Sequence, residues 1–561
     1  MTVTNKSASI KHQVRSAHDW VFQDAGNGIN VAKIIDGSTG AQTSGTEIIE
    51  NSRRVASALL SRKVGSEAVV AVALPNLPVV AEIALGVFSS GCTLAMLNSN
   101  NPSEVLAQQL TEVDAKILIT TSGIPSSILA GKQYETILVD SGHDSTSYAD
   151  FTSGPAATEL PEINPNSVAV ILQSSGTTSP SKPIELTHKN VIAGLETVDD
   201  RIDLNSSDSS LAIAPFFHAL GFYMMLFAPL RRGMPVVTMD VIDMEKAIDL
   251  IDEYEISYMA GGPPMMAPIA RAGASGRLKS LKKILFAGAA IDHRTEAAIR
   301  ETFPHATTGQ GYALTEFVLI SWVAPDDGHP LGSVGRIMRG VEMKIIDPDD
   351  GHMCAAGEEG EIVVKGPQMT RGYRNRPDAT AALIDSDGWL LTGDLGKVDD
   401  EGFLFITGRL KEMILVEGQR IAPKTFEELI RKIDAVQEVV VSATREYPNS
   451  HTPIAFVVGD GSVTTGQIRS ALESRPDLPN CEVARREDPP RRAIENGGWN
   501  FQRLKQPSGQ TKALATWHNT KIAVDRFDQG NSNQSCSVPP IVSSAPPKLT
   551  TQYETPWLSR V

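Results

Sequence analysis

The run Gln173-Ser174-Ser175-Gly176-Thr177-Thr178-Ser179-Pro180-Ser181-Lys182-Pro183 gathers hydroxyl side chains around one glycine and closes on a lysine. Such a loop offers donors to something anionic. Hydroxyls and freed backbone N–H groups can wrap phosphate oxygens, and Lys182 adds a mobile positive charge. The spacing is not that of the G-x-x-x-x-G-K-[ST] phosphate loop, since no glycine immediately precedes Lys182 and no helical run follows at once. A plain solvated connection has the same composition. Ala287-Gly288-Ala289-Ala290 would let a flat ring approach the backbone, or would serve a tight strand-to-helix turn. Gly311, Tyr312, Thr315 and Glu316 converge in one short segment. Glu316 is a candidate magnesium ligand beside a phosphate loop and an ordinary surface carboxylate elsewhere. Thr392-Gly393-Asp394 and Thr407-Gly408-Arg409-Leu410-Lys411 place a carboxylate one hairpin away from a guanidinium. That pair could be an ion pair, or a clamp whose carboxylate oxygens accept both hydroxyl protons of a sugar diol.

The elements around these groups follow from periodicity. Apolar positions recur at helical spacing over 47–60 and 79–88, the latter ending near Gly91. Short apolar runs at 68–74, 93–97, 116–120, 168–172, 184–187 and 284–286 predict strands, and 188–198 predicts a helix. This alternation predicts a mostly parallel α/β sheet with helices on both faces, whose ligands gather at the carboxyl ends of the strands. Residues 141–165 read as a long polar connection, and 357–416 as a β subdomain of hairpins.

With 561 residues, 41% of them hydrophobic and 21% charged, the chain can bury several domains' worth of core. A net charge of −15 argues against sequence-independent nucleic-acid binding. The four cysteines are far apart, with no C-x-x-C pair, which fits a reducing compartment and gives no zinc spacing. The first residues have no apolar core of a secretory signal. The apolar stretch 211–230 has the length of a bilayer span but contains Pro215, His218, Gly221 and Pro229, which suit a buried loop-and-strand segment better. The expected location is cytoplasmic. The terminal Ser559-Arg560-Val561 is near a peroxisomal address but lacks the final leucine.

Five segments in order resemble the adenylate-forming enzymes, which include acyl- and aryl-CoA synthetases, 4-coumarate-CoA ligases, luciferases and peptide-synthetase adenylation domains. They are Ser174-Ser175-Gly176-Thr177-Thr178 with Lys182; Gln310-Gly311-Tyr312 with Thr315-Glu316; Thr392-Gly393-Asp394; Gly408-Arg409-Leu410-Lys411; and Gly418 with Pro423. The layout of Gly366-Pro367, Gly372-Tyr373 and Pro377 agrees. The resemblance implies a large N-terminal AMP-binding domain of stacked α/β sheets plus a β subdomain (1–410). A small mobile α+β C-terminal domain (411–485) would follow, and then an atypical tail (486–561). It implies that a carboxylic acid attacks ATP to give an acyl-adenylate and pyrophosphate, after which the CoA thiol displaces AMP. Ser174, Ser175, Gly176, Thr177 and Thr178 would hold phosphates, Lys182 the departing pyrophosphate, Thr315 the α-phosphate and Glu316 a Mg2+ ion. Gly288, Ala289, Ala290, Gly311 and Tyr312 would line the adenine slot, Asp394 and Arg409 would grip the ribose, and Lys411 would be the hinge. His218, Phe222, Tyr223, Gly262 and Ala313 would border the acid. His218 read alone is as readily a core residue.

Two departures lie in the loop, where Ser179 and Pro183 replace the family's usual glycines. Both changes should stiffen or reroute it. The family's closing Pro-Lys/Arg-x-x-x-Gly-Lys segment has no counterpart, and Lys505, Lys512 and Lys521 lack its neighbours. After Pro479 the composition turns basic and Gln/Asn/Ser/Pro-rich, as a disordered tail would be, and as a shifted reading frame or retained intron would produce. The expected function is an acyl- or aryl-CoA ligase of small-molecule metabolism, near the 4-coumarate-CoA-ligase branch. The competing expectations are an enzyme that loads a carrier protein in trans, and an impaired relative.

Overall fold

The computed structural model describes residues 2–5, 16–23, 32–129, 133–140, 146–174, 181–289, 291, 293–323, 328–416, 419–447, 450–459, 462–475, 478–479, 481–485 and 523–525. Val69–Ala73, Thr93–Met96 and Val168–Gln173 are almost wholly apolar and buried, as strands covered on both faces must be. They belong to an eight-stranded sheet ordered Gly372–Tyr373, Pro183–Thr187, Val168–Gln173, Thr93–Met96, Val69–Ala73, Ala115–Thr120, Glu135–Leu138, Thr146–Ser147. From Val168–Gln173 outward the pairing is parallel, whereas Pro183–Thr187 runs antiparallel to both its neighbours. Helices punctuated by local chemistry connect these strands. Ser44 and Glu47 form a capping box for Gly45–Ser61, and Gly91, at φ 79°, ends Val79–Ser90 in the left-handed conformation that glycine adopts freely.

A nine-stranded sheet runs Arg336–Ile337, Ser321–Trp322, Thr307–Tyr312, Lys283–Phe286, Tyr258–Gly261, Ser210–Ala212, Pro235–Thr238, Lys33–Asp36, Gln42–Ser44. Its six strands from Thr307–Tyr312 to Lys33–Asp36 are parallel. The expected hairpin region is a five-stranded antiparallel sheet of Thr2–Thr4, Glu342–Ile346, Gly360–Lys365, Leu390–Val398 and Leu404–Arg409. One apolar cluster joins all three sheets through residues such as Leu172, Phe222, Leu285, Trp322 and Ile362.

Elements from Ile414 onward have their own core, built on Phe426, Ile430, Val441, Ala455 and Ile468. Helices Pro423–Arg431 and Thr465–Glu473 cover a sheet of Val436–Tyr447, Ser450–Gly459, Glu482–Arg485 and Ala523–Asp525. The last strand lies inside the segment expected to lack structure, and the rest of 486–561 is outside the described residues. Two ion pairs between exposed groups, Arg420 with Asp349 at 2.7 Å and Arg294 with Asp434 at 3.1 Å, tie this unit to the remainder. Lys424 Nζ also donates to the carbonyl of Ile406 at 3.1 Å.

Two expectations need correction. Residues 141–165 are not all connection: Thr146–Ser147 joins the sheet edge, and Tyr148–Phe151 forms a helical turn capped by Ser147. Tyr148 donates to the buried Glu82 at 2.8 Å, a long-range bond that polar composition conceals. The stretch 211–230 divides into Ser210–Ala212, a loop, a π-helix at Leu220–Phe227 and a helical turn at Ala228–Arg231. No helix among the described residues is long and apolar enough to cross a membrane. At the start of the helix His188–Arg201, His188 is buried and its Nδ1 accepts from the Ala17 N–H at 3.1 Å. Burial, with a smaller opposing pull from Asp19 and a like-charge push from His18, lowers its pKa to about 4.

Candidate active site

Strand order explains how distant residues meet. Thr307–Tyr312, Lys283–Phe286, Tyr258–Gly261 and Ser210–Ala212 lie side by side and parallel, so their carboxyl ends open on one edge. That edge delivers Ala313, Thr315 and Glu316 after the first strand, Gly288 and Ala289 after the second, Gly262 after the third and His218 after the fourth. The carboxyl ends of parallel strands are where α/β sheets bind their ligands.

The phosphate-side group begins at the loop's base. The Ser174 N–H donates to the Lys182 carbonyl at 3.0 Å, and the Lys182 N–H donates to Ser174 Oγ at 2.8 Å. Ser175, Gly176, Thr177 and Thr178 lie outside the described residues, as does Ala290. The Lys182 ammonium sits 4.7 Å from the centre of the Tyr373 ring, and Tyr373 Oη donates to Glu316 Oε1 at 2.7 Å. Burial, reinforced by the Glu316 charge, pushes the Tyr373 phenol up, so it remains a donor at neutral pH. Sequence reasoning had Tyr373 only as part of a motif layout. Its position follows from the pairing of Gly372–Tyr373 with Pro183–Thr187, which no local pattern announces. The same pairing sets Arg371 and Arg374 on the buried Glu185, at 2.8 and 2.9 Å.

The second group is more enclosed. Asp394 and Arg409 are directly opposite each other in antiparallel strands, with Arg409 Nε 3.0 Å from Asp394 Oδ1. Tyr312 Oη donates to Asp394 Oδ2 at 2.8 Å. Burial raises the Asp394 carboxyl above its usual range, with Arg409 and the Tyr312 hydroxyl pulling the other way. Gly311 faces the Trp322 ring, where an added Cβ would lie 2.3 Å from ring carbon and clash. Gly288 has φ 88° and nothing within 4 Å of an added Cβ, so the turn, not crowding, accounts for the glycine. Its face and that of Ala289 are exposed.

The expected acid-side residues divide. His218 is half-buried, its Nδ1 accepts from the Leu220 N–H at 3.3 Å, and burial lowers its pKa. Phe222 and Tyr223 are fully buried in the main core, with Phe222 4.7 Å from Phe227 and 5.1 Å from Tyr223 between ring centres. Gly262 caps the helix Pro263–Ala274 and is half-buried. Lys411 is exposed on the turn Leu410–Glu412, two residues after Arg409.

Two tyrosines therefore join three sheets at one place. Tyr373–Glu316 links the eight- and nine-stranded sheets, and Tyr312–Asp394 links the nine-stranded sheet to the antiparallel one. Comparison with known proteins identifies the family of the chain. The family model described as AMP-binding enzyme matches residues 22–374. The chain is 30% identical over 475 residues to 4-coumarate–CoA ligase 5 of Oryza sativa subsp. japonica, covering 81% of this chain and 87% of that one. It is 30% identical over 467 residues to 4-coumarate–CoA ligase 1 of Arabidopsis thaliana, covering 79% and 83%. Among solved structures, o-succinylbenzoate CoA synthetase (MenE) of Bacillus subtilis with its acyl-adenylate intermediate superposes with a TM-score of 0.73 at 25% identity, covering 84% and 95%. ATP-bound MatB of Rhodopseudomonas palustris gives 0.77 at 24% identity, covering 86% and 97%, a likeness of fold. The chain belongs to the AMP-binding enzyme family.

Proposed function

We propose that this chain activates a carboxylic acid with ATP, forming an acyl-adenylate and pyrophosphate, and then transfers the acyl group to the thiol of CoA. The observation that carries the reading is that the short segment 312–316 anchors two polar groups, Lys182 and Tyr373 at Glu316, and Asp394 and Arg409 at Tyr312. Its support in relatives is the run of 4-coumarate–CoA ligases at about the same identity.

In this reading the carboxylate oxygens of Asp394 accept from the ribose hydroxyls while Arg409 and Tyr312 fix the carboxylate's orientation. Lys182 carries its charge on a flexible stem and follows the pyrophosphate as it leaves, with the loop N–H groups and hydroxyls stabilising the added negative charge. One oxygen of Glu316 is held by Tyr373, and the other has no partner among the described residues, which suits a hard dication carried in with ATP. Such an ion, when bound, neutralises phosphate charge. Thr315, beside it, is placed to donate to the α-phosphate. Gly288 and Ala289, both exposed, leave a flat opening for adenine, while Gly311 admits the Trp322 ring behind Tyr312. His218 is neutral and borders the acid, so it can contact an apolar or aromatic carboxylate without desolvating a charge. The unit from 411 to 485 is a separate small domain in this reading. Lys411 is its pivot, and its movement exchanges adenylation for thioester formation.

Acid-dependent ATP–pyrophosphate exchange, with hydroxylamine trapping across a panel of aryl and alkyl carboxylic acids, tests this directly. Exchange and CoA consumption with at least one acid are expected. Exchange without CoA turnover would favour a carrier protein as acceptor. No exchange with any acid would reject the reading in favour of an impaired relative.

A further inference from the structure

Strands Thr93–Met96 and Val168–Gln173 are parallel neighbours, so the turn after the first and the hydroxyl-rich loop after the second leave the sheet at the same edge. The first turn carries Asn101 and leads into helix Ser103–Glu112. On that helix Gln109 is 4% exposed, although it is polar and lies among the apolar Leu106 and Leu110. Burying an amide is tolerated only when its donor and acceptor are matched. Gln109 Nε2 donates to Ser181 Oγ at 2.9 Å, and Gln109 Oε1 accepts from Asn101 Nδ2 at 3.0 Å. Ser181 is the residue before Lys182, whose N–H is already held by Ser174 Oγ. At its end the same helix holds Arg376 through Glu112 at 2.6 Å, and Arg376 lies three residues beyond Tyr373, the ring under the Lys182 ammonium. A single helix thus fixes both sides of the Lys182–Tyr373 contact. Pro183 strengthens the same end of the loop: its carbonyl accepts from the Arg374 N–H at 2.8 Å, and its ring limits its own φ.

We propose that Gln109 is a positioning residue for ATP, acting through Ser181 to fix where Lys182 meets the departing phosphates, an inference that rests on the proposed ATP-dependent activation. Asn101 holds the amide in the orientation that presents its N–H2 to the loop. The inference concerns the ATP side of the reaction and leaves the acid side untouched.

The test uses the full chain with Gln109→Met, Gln109→Glu, Ser181→Ala and the double variant Gln109→Met/Ser181→Ala. In pyrophosphate exchange, Gln109→Met should raise the Michaelis constant for ATP about tenfold, leaving that for the acid unchanged. Gln109→Glu can accept the Ser181 hydroxyl and should recover most of the loss. Because both partners serve one bond, the double variant should be no worse than the poorer single one. Unchanged ATP constants, equal rises for ATP and acid, or additive losses would each overturn the inference. If Gln109→Met does not fold, Ser181→Ala, which deletes one partly exposed hydroxyl, decides the matter by the same constant. The unaltered chain judges the underlying reading separately. If it binds ATP by calorimetry yet shows no exchange, that reading fails, and the ATP dissociation constant of Gln109→Met against the unaltered chain still decides the inference. If it does not bind ATP, both fall.

Discussion

The two polar groups of the site are built in opposite ways. Around Asp394 the carboxylate is 4% exposed, and each of its oxygens has a fixed protein partner in Arg409 or Tyr312. Around Lys182 the cation rests on an aromatic face, and Glu316 keeps an oxygen without a partner among the described residues. A buried carboxylate with both oxygens held is rigid, and removing a partner leaves its charge poorly compensated, although the Arg409 guanidinium itself is about half exposed. A cation over a ring is held by a shallow, non-directional attraction of about 1 kcal/mol and can move. The contrast suits a nucleotide whose sugar stays put while its phosphates separate.

That comparison can be broken or sharpened by experiment. The largest effect is expected from Asp394→Ala, which removes the proposed ribose acceptor and leaves Tyr312 Oη buried without its Asp394 partner. We expect about a 10³-fold fall in kcat/KM for ATP, measured by pyrophosphate exchange. Lys182→Met should cost less, about 10²-fold, and mainly in kcat, because its charge matters most as pyrophosphate leaves. A larger loss from Lys182→Met than from Asp394→Ala would invert the comparison.

Acid should destabilise the fold at the end of the eight-stranded sheet away from the Ser174–Lys182 loop, where His188 donates its backbone N–H to the Ser167 carbonyl. Burial lowers the His188 pKa to about 4 in the folded chain against an ordinary value of 6.5, so the folded state binds fewer protons. Its contribution to stability is complete above the unfolded value and is lost as pH falls from 6.5 toward 4. Between pH 7 and pH 5 the loss should be about 2 kcal/mol, read by urea unfolding, and His188→Asn should flatten this dependence. The smallest effect is expected from Tyr373→Phe, which keeps the ring under Lys182 and deletes the bond to Glu316. A drop of about fivefold in exchange, with no change in ribose-side affinity, would fit. A collapse comparable with Asp394→Ala would show that the phosphate side is as rigid as the clamp.

Much of this architecture is legible in the sequence where the signal is local. All-apolar strands such as Val69–Ala73 announce a sheet buried on both faces, and Gly91 marks a helix end by the φ it alone takes easily. Asp394 and Arg409 stood out by type, yet their direct opposition depends on a register shift between Leu395 and Gly396 that composition does not encode. Tyr373 was harder still, since its place depends on a strand nearly two hundred residues upstream. Phe222 and Tyr223 show the limit from the other direction. Aromatic type and neighbourhood fit a substrate wall and a core equally well, and only packing places their side chains among Phe88, Phe227 and Gly194. Gln109 gave no signal, because a glutamine on an amphipathic helix reads as solvent-facing until its partners are known.

The C-terminal unit meets the rest through the Lys424–Ile406 hydrogen bond and through the pairs Arg420–Asp349 and Arg294–Asp434, whose side chains are largely in water. Contacts of this sort contribute little individually and weaken as mobile counterions crowd them. Dissolved electrolyte therefore becomes a modest handle on the resting pose of residues beyond Ile414: concentrated salt should weaken the two ion pairs and leave the Lys424–Ile406 hydrogen bond and both tyrosine bridges in place.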